Sequence, residues 1–478
     1  MLRLIHKIKT GIFSFWKPNR NPVRINWHGI DPRRIARSAY SFVSVSVAGI
    51  FLLFLAGHGV NAARPARPFA VPLPVAVAPY TISVFATSVP GSYTQPDSVA
   101  FLNGNVFVGY SNGVAKDGSD GKSSTIVEYT VTGTVVKMFS VPGHNDGLKA
   151  NPETQQLWAM SNEDGNPSLT IIDVAAGTQA NYTFAATAHG GGFDDIAFRN
   201  GNIYLSASNP ANSPNAAPAI VQAQISGTAV NVTPVLMGNS QATDLVTGST
   251  VTLNLQDPDS MIFDPLGDLV LDSQADSELV LVHHPGAPDQ KAFRVPVTLA
   301  GAPQQVDDTV FATSPLGMIL IADLGAETVY AINRTAFTPG AAFTSAQTSV
   351  GKLDLDTGII TPIVTGLVSP HGMNFIDVPD FNISFDPGAV TVSRGSKFST
   401  TVNVARLGGL SGNVTVAFTE PAPAGFIILT PSVTVSDGVA TIAVKLKGKA
   451  KPGIYVLPFT GTDATGTVRT AALTVVVQ

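Results

Sequence analysis

The run Asp257-Pro-Asp259-Ser-Met-Ile-Phe263-Asp-Pro-Leu-Gly267-Asp-Leu-Val-Leu-Asp272 reads as two short strands joined by one tight turn. Pro258 and Asp259 lead into an apolar stretch, Asp264-Pro-Leu-Gly267 has turn chemistry, and residues 269–271 are apolar again. Five relatives of its acidic entry flank it: Gln95-Pro-Asp97-Ser-Val-Ala-Phe, His144-Asn-Asp146-Gly-Leu, Phe193-Asp-Asp195-Ile-Ala-Phe, Val306-Asp-Asp308-Thr-Val-Phe and Ser369-Pro-His371-Gly-Met-Asn-Phe. Counted through Asp97, Asp146, Asp195, Asp259, Asp308 and His371, the steps are 49, 49, 64, 49 and 63 residues, so two units carry insertions of about 15. A period near fifty with several short strands per unit is the pattern of a β-propeller, and six strand entries predict six blades.

Outward from that run the units repeat. In the first, Asn103-Gly104 and Thr132-Gly133 sit where tight hairpin turns join four strands. The fifth unit reads as 306–311 followed by Pro315-Leu-Gly317 and a second strand over 318–323. The sixth has an inner strand at 372–376 and an outer one at 80–87, so the two chain ends would share a blade and close the ring. Its middle strands are not evident from the pattern. The expected propeller spans 80–379.

This pattern resembles the six-bladed propeller superfamily that includes NHL-repeat and SMP-30-like proteins, on the strength of the 258–272 run and its relatives over about 300 residues. The resemblance implies a channel-mouth site. The SMP-30-like members are lactone hydrolases that hold a divalent metal with a Glu, Asn and Asp set. Asn162, Asn209 and Asp272 sit at repeat positions suggestive of that set, but Asp97 stands where those enzymes begin with Glu, against a lactonase assignment. From residue 380 the spacing changes to short alternating strands up to 478, which predicts a β-sandwich. Pro452-Gly-Ile-Tyr455 and the ending Gly466-Thr-Val-Arg-Thr-Ala-Ala-Leu-Thr-Val-Val-Val477 resemble bacterial immunoglobulin-like (Ig-like) modules, which act as spacer or adhesion units. The fold class expected is therefore all-β: a propeller and an Ig-like sandwich.

Residues 1–63 carry a different signal, an N-terminal signal or anchor helix. Nine of the 28 Lys and Arg fall in the first 37 residues beside one acid, Asp31. Residues 38–63 then have no formal charge and include Val43-Ser-Val-Ser-Val-Ala-Gly-Ile-Phe-Leu-Leu-Phe-Leu55. The positive-inside rule puts everything beyond residue 63 outside the cytoplasm. Two readings stand: retention as a membrane anchor, or cleavage at Val60-Asn-Ala62 as a signal peptide. Five prolines in 64–79 make a stiff linker. Without the first 37 residues, 19 basic and 32 acidic residues remain, a net −13, which excludes a nucleic-acid partner. The absence of cysteine excludes disulfides and thiolate sites.

The strand entries and the loops after the second strands open on one face of a propeller. The candidate ligand-binding residues there are Asp97, Asn162, Asn209, Asp259, Asp272 and Asp308. Three of the five histidines beyond residue 63, His144, His189 and His371, fall at the same repeat position by this reading and form the candidate metal set, with a divalent metal as candidate cofactor. Asp146 and Asp195 are the candidate bases. The plainer alternative is that these aspartates cap turns through neighbouring amides. Asp117-Gly-Ser-Asp120-Gly121 lacks the remaining ligands of a calcium loop and reads as a solvated turn. The expected function is binding of a small molecule, glycan or envelope protein at this acidic face. A metal-dependent hydrolase or lyase and a structural envelope protein are the alternatives, and the membrane is met only through the N-terminal segment.

Overall fold

The structure, a computed structural model, describes residues 73–478 apart from 335, 408, 409, 437 and 465. The signal or anchor segment and residues 64–72 of the linker lie outside the described residues. Among the described residues no helix is long and apolar enough to cross a membrane.

Six four-stranded antiparallel blades form the propeller. Blade 1 is Pro96–Leu102, Asn105–Tyr110, Ser123–Thr130 and Val135–Pro142, each paired to the next. Blade 2 (Asn145–Asn151, Gln156–Ser161, Ser168–Asp173, Thr178–Phe184) and blade 3 (Ile196–Arg199, Asn202–Ser206, Pro218–Ser226, Ala229–Met237) follow the same order. Blade 4 is Pro258–Phe263, Leu269–Ser273, Glu278–His283 and Lys291–Pro296. Its first turn forms as the sequence implies: the Asp264 carboxylate accepts the Gly267 and Asp268 amides at 2.6 and 2.8 Å, and Gly267 takes φ +100. The first insertion is a hairpin, Gln241–Asp244 with Thr250–Thr252, laid parallel on the outer edge of blade 4.

Blades 5 and 6 correct the expected connectivity. Val306–Phe311 is the inner strand of blade 5, but it pairs with Ala342–Ala346, followed by Ser349–Leu353 and Ile359–Thr365. The intervening hairpin, Gly317–Asp323 and Thr328–Arg334, instead pairs with Pro370–Asp377 on one side and Tyr80–Thr87 on the other. The second insertion is thus the missing middle of blade 6, sent across from inside blade 5. The two chain ends of the propeller do share a blade, with its inner and outer strands as expected.

Each of the six junctions between neighbouring blades holds its own apolar core. Between blades 6 and 1, for example, Leu320 and Ile376 pack with Val106 and Val108. Burying both faces of each blade in this way explains why the strands read as apolar runs instead of alternating ones. Beyond the propeller, nine strands from Asp380–Asp386 to Val468–Val477 form two facing sheets around a core that includes Phe381, Val416 and Phe459. Phe426–Ile428 is a strand of this sandwich that the sequence pattern did not separate out.

Candidate functional site

Five inner strands begin with the same irregularity. Pro96 faces Tyr110 but Val99 faces Val108, so one extra residue is fitted on the inner strand. The same bulge recurs at Asn145/Leu148, Pro258/Met261, Val306/Thr309 and Pro370/Met373. A bulge re-aims the side chain at that point. Aligned on it, the equivalent residues are Asp97, Asp146, Asp259, Asp307 and His371, and the pairing of Ile196 with Leu205 adds Asp194 from blade 3. The repeat register is therefore one residue earlier than the spacing predicts in blades 3 and 5. Both blades carry an Asp-Asp doublet, so either member satisfied the period; only strand pairing distinguishes Asp194 and Asp307 from Asp195 and Asp308.

Five of these six ring residues line a mouth of about 160 Å³, while Asp194 lines the narrower waist beneath it. His371 Nδ1 lies 3.2 Å from Asp97 Oδ1 and 3.4 Å from Asp307 Oδ2. His144 reaches Asp97 Oδ2 at 3.9 Å through Nε2, while its Nδ1 is 2.9 Å from Val114 O. From the loops behind the ring come Glu163, ion-paired with Lys116, and Asp257, Asp164 and Asn209. Asn209 donates to Asp164 Oδ1 at 3.1 Å. Two sets of side chains have ligand atoms all within 4.8 Å of one another: Asp97, His144 and Asp146; and Asp146, Glu163 and Asp194. Asp146 belongs to both.

Burial and mutual repulsion shape the charge. Burial first, then the neighbouring carboxylates, push Asp146, Asp194 and Asp259 well above the usual carboxylate range. Burial, followed by Glu163, pushes Asp257 up to about 6. Asp307 rises to about 7, again mainly by burial, although His371 opposes the rise. Burial opposes charge on Glu163 too, yet Lys116 and hydrogen bonds from Asp146 and Asp194 hold it below its ordinary value. His371 is pushed up to about 10, because Asp307 and Asp97 outweigh its desolvation. The mouth is thus an excess of carboxyl groups crowded around few cations, the electrostatic condition of a cation site.

The other candidates lie elsewhere. Asn162 accepts the His144 amide at 2.9 Å and donates to Asn166 O, so it shapes the loop. Below the mouth, Asp195 Oδ2 meets Lys149 Nζ and the Met261 amide, both at 2.8 Å, and Asp308 Oδ2 accepts the Met373 amide at 2.7 Å. These two carboxylates staple blades 3 to 4 and 5 to 6 across a waist of only about 20 Å³. Asp272 is fully buried and accepts Thr309 Oγ1 at 2.8 Å. The three candidate histidines occupy three different repeat positions: His371 in the ring, His144 two residues before it, and His189 five before it. His189 lies away from the channel, with Nε2 2.6 Å from Gly192 O and its ring against Phe193. The structure does not bring His189 together with the other two. The Asp117 to Asp120 segment is a turn, with Asp117 accepting the Ser119 amide.

Lys116 is a mouth residue that the sequence reading left out; its readable signal was position, since it follows the second strand of a blade. Glu163 and Asp194 stand in the loops that the sequence places on this face, but neither was singled out as a ligand, and Asp194 was hidden by its doublet.

The chain matches no protein-family model and no curated protein. Among solved structures it is similar to a putative gluconolactonase, at 12% identity over 78% of this chain and 96% of that one, with a TM-score of 0.35. It is also similar to a functionally unknown protein from Desulfotomaculum acetoxidans, at 11% identity over 59% and 89%, again with a TM-score of 0.35. A surface-layer protein aligns at 12% identity over 80% and 54%, with a TM-score of 0.16. Likeness at these levels bears on neither substrate nor mechanism.

Proposed function

We propose that this chain is an exported propeller whose channel mouth holds a divalent cation and, through it, binds a polyhydroxylated small molecule or glycan. One observation carries the reading: two ligand sets meet at Asp146, on the ring of a mouth with far more carboxyl groups than cations. Their donors fit such an ion. Asp146, Glu163 and Asp194 are all-oxygen ligands suited to calcium, magnesium or manganese, and His144 widens the choice to softer metals. A bound cation would offset the burial and, after it, the carboxylate repulsion that disfavour charge on these aspartates, and would present open positions to hydroxyl or carbonyl oxygens. In this reading the C-terminal sandwich is an Ig-like spacer or adhesion module, and the basic, apolar N-terminal segment delivers the chain out of the cytoplasm as signal peptide or anchor.

A second reading, a metal-dependent hydrolase or lyase, draws support from Asp257. A carboxyl group pushed up to about 6 at the edge of such a mouth is poised for proton transfer near neutral pH. Of the two candidate bases from the sequence, Asp146 is in the mouth, whereas Asp195 is committed to Lys149 and Met261.

Metal analysis and calorimetric titration of untagged protein with calcium, manganese and zinc test the first reading. Stoichiometric binding that is lost in an Asp146→Asn, Glu163→Gln double variant is the expected result. Protein that binds none of the three ions would sink it.

A further inference from the structure

The same bore has a second chamber with the opposite chemistry. Four residues beyond each ring position, about 13 Å along the strand, stand Phe101, Phe198, Phe263, Phe311 and Phe375, with Ala150 alone breaking the series in blade 2. These side chains, with Met261, Ile262 and Met373, line a cavity of about 350 Å³. That is the size of a small-molecule pocket. The rings are held from behind. Phe198 meets Trp158 edge-on at 5.1 Å, Phe375 meets Phe337 at 5.1 Å, and Phe263 lies under the Arg199 guanidinium at 5.0 Å. Ala150 leaves a gap in an otherwise aromatic collar, so the missing ring creates room.

Towards the mouth the chamber is shut. Lys149 lines both it and the narrow waist, and its ammonium is bound to Asp195 at 2.8 Å. Among the described residues that line the chamber Lys149 alone is charged, and Asp195 is its partner. Asn374, whose amide donates to Val99 O at 3.2 Å, adds a polar group to the wall.

The geometry points to a binding site for an uncharged aromatic molecule in this chamber, independent of the acidic mouth. A collar of rigid aromatic side chains with two methionines beside it favours a ring over a flexible chain.

Fluorescence titration of the full chain with N-phenyl-1-naphthylamine, an uncharged aromatic probe, tests this. Saturable binding of one probe per chain is expected, unchanged by calcium or by chelator. Ala150→Phe should supply the sixth ring, fill the gap and weaken binding by about tenfold or more. Thr313→Trp, at an exposed position on the rim, should weaken it independently by capping the entrance, and it decides the matter alone if Ala150→Phe misfolds. A probe affinity unchanged in folded Thr313→Trp and Ala150→Phe proteins overturns the proposal, including the case in which the probe sits on the apolar segment at 43–55. Absence of saturable binding to the parent chain overturns it as well.

Discussion

Asp97 Oδ1 and His371 Nδ1 lie 3.2 Å apart, joining the first inner strand of the propeller to the last at the point where the ring closes. The contact combines two roles. It spans the seam between blades 1 and 6, and it places an imidazolium inside the mouth. If Asp97 holds that charge, Asp97→Asn should lower the His371 pKa from its value of about 10 towards the ordinary histidine range. Following the His371 ring proton by NMR across pH checks this, and an unmoved titration would show that Asp307 suffices.

Metal affinity should depend on Asp146 more than on any residue of a single ligand set. Asp146→Asn is expected to weaken divalent binding by more than the roughly 10- to 100-fold typical of losing an outer-shell partner. Lys116→Met, which frees Glu163 of its cation partner, should change affinity without removing a ligand. His189→Ala, away from the channel, should leave affinity unchanged. Calorimetry on the three variants separates these cases.

The metal-free protein should lose stability as pH rises from 5 to 8. Asp257 and Asp308 are pushed up to about 6 and Asp307 to about 7, against 3.8 for a free aspartate. A raised carboxyl pKa contributes stability that is complete below about pH 4 and lost as pH passes through the folded value. His371, raised from 6.5 to about 10, acts in the same direction above pH 6.5. Glu163 and Asp97, held low, lose their contributions only in acid. Melting temperatures in chelator at several pH values test the trend, which saturating divalent cation should flatten; a rise towards pH 8 in chelator would contradict it.

Removing Lys149 should be costly. Lys149→Met leaves the Asp195 carboxylate buried beside Asp308 and Asp272, an uncompensated charge of the kind that costs about 3–5 kcal/mol. Adding Asp195→Asn should recover part of the loss. Denaturant unfolding of the two variants reports both values.

Gly147 and Gly372 occupy the position after the ring residue, where inner strands press together. A Cβ at Gly147 would stand 2.2 Å from Asp194 O, and one at Gly372 would stand 2.6 Å from Asp97 O. Because backbone is the obstacle in both cases, Gly147→Ala and Gly372→Ala should each destabilise by about 1–3 kcal/mol. Thermal melts check this, with Gly104→Ala unsuitable as a control because its φ of +82 adds strain of its own.

Much of the architecture is legible in the sequence. The acidic entry, the apolar run and the turn at 264–267 are local features, and local features repeat wherever a blade repeats. The sharing of a blade by Tyr80–Thr87 and Pro370–Asp377 followed from the need to close a ring without bare edges. The destination of the 317–334 hairpin did not follow. Its Pro315-Leu-Gly317 turn resembles Pro265-Leu-Gly267, and an antiparallel strand can pair equally well with either neighbour as far as its own residues show.

The sequence by itself determined the all-β class, the six entries, the acidic face and the change of pattern near residue 380, because period, turn chemistry and charge are properties of neighbours along the chain. Only tertiary structure decided which aspartate of each doublet enters the ring, that His371 meets Asp97 while His189 stays apart, and that Glu163 and Lys116 complete the mouth. A side chain's aim depends on a bulge, and a bulge exists only between paired strands. Site membership joins residues hundreds of positions apart, and no periodicity records that.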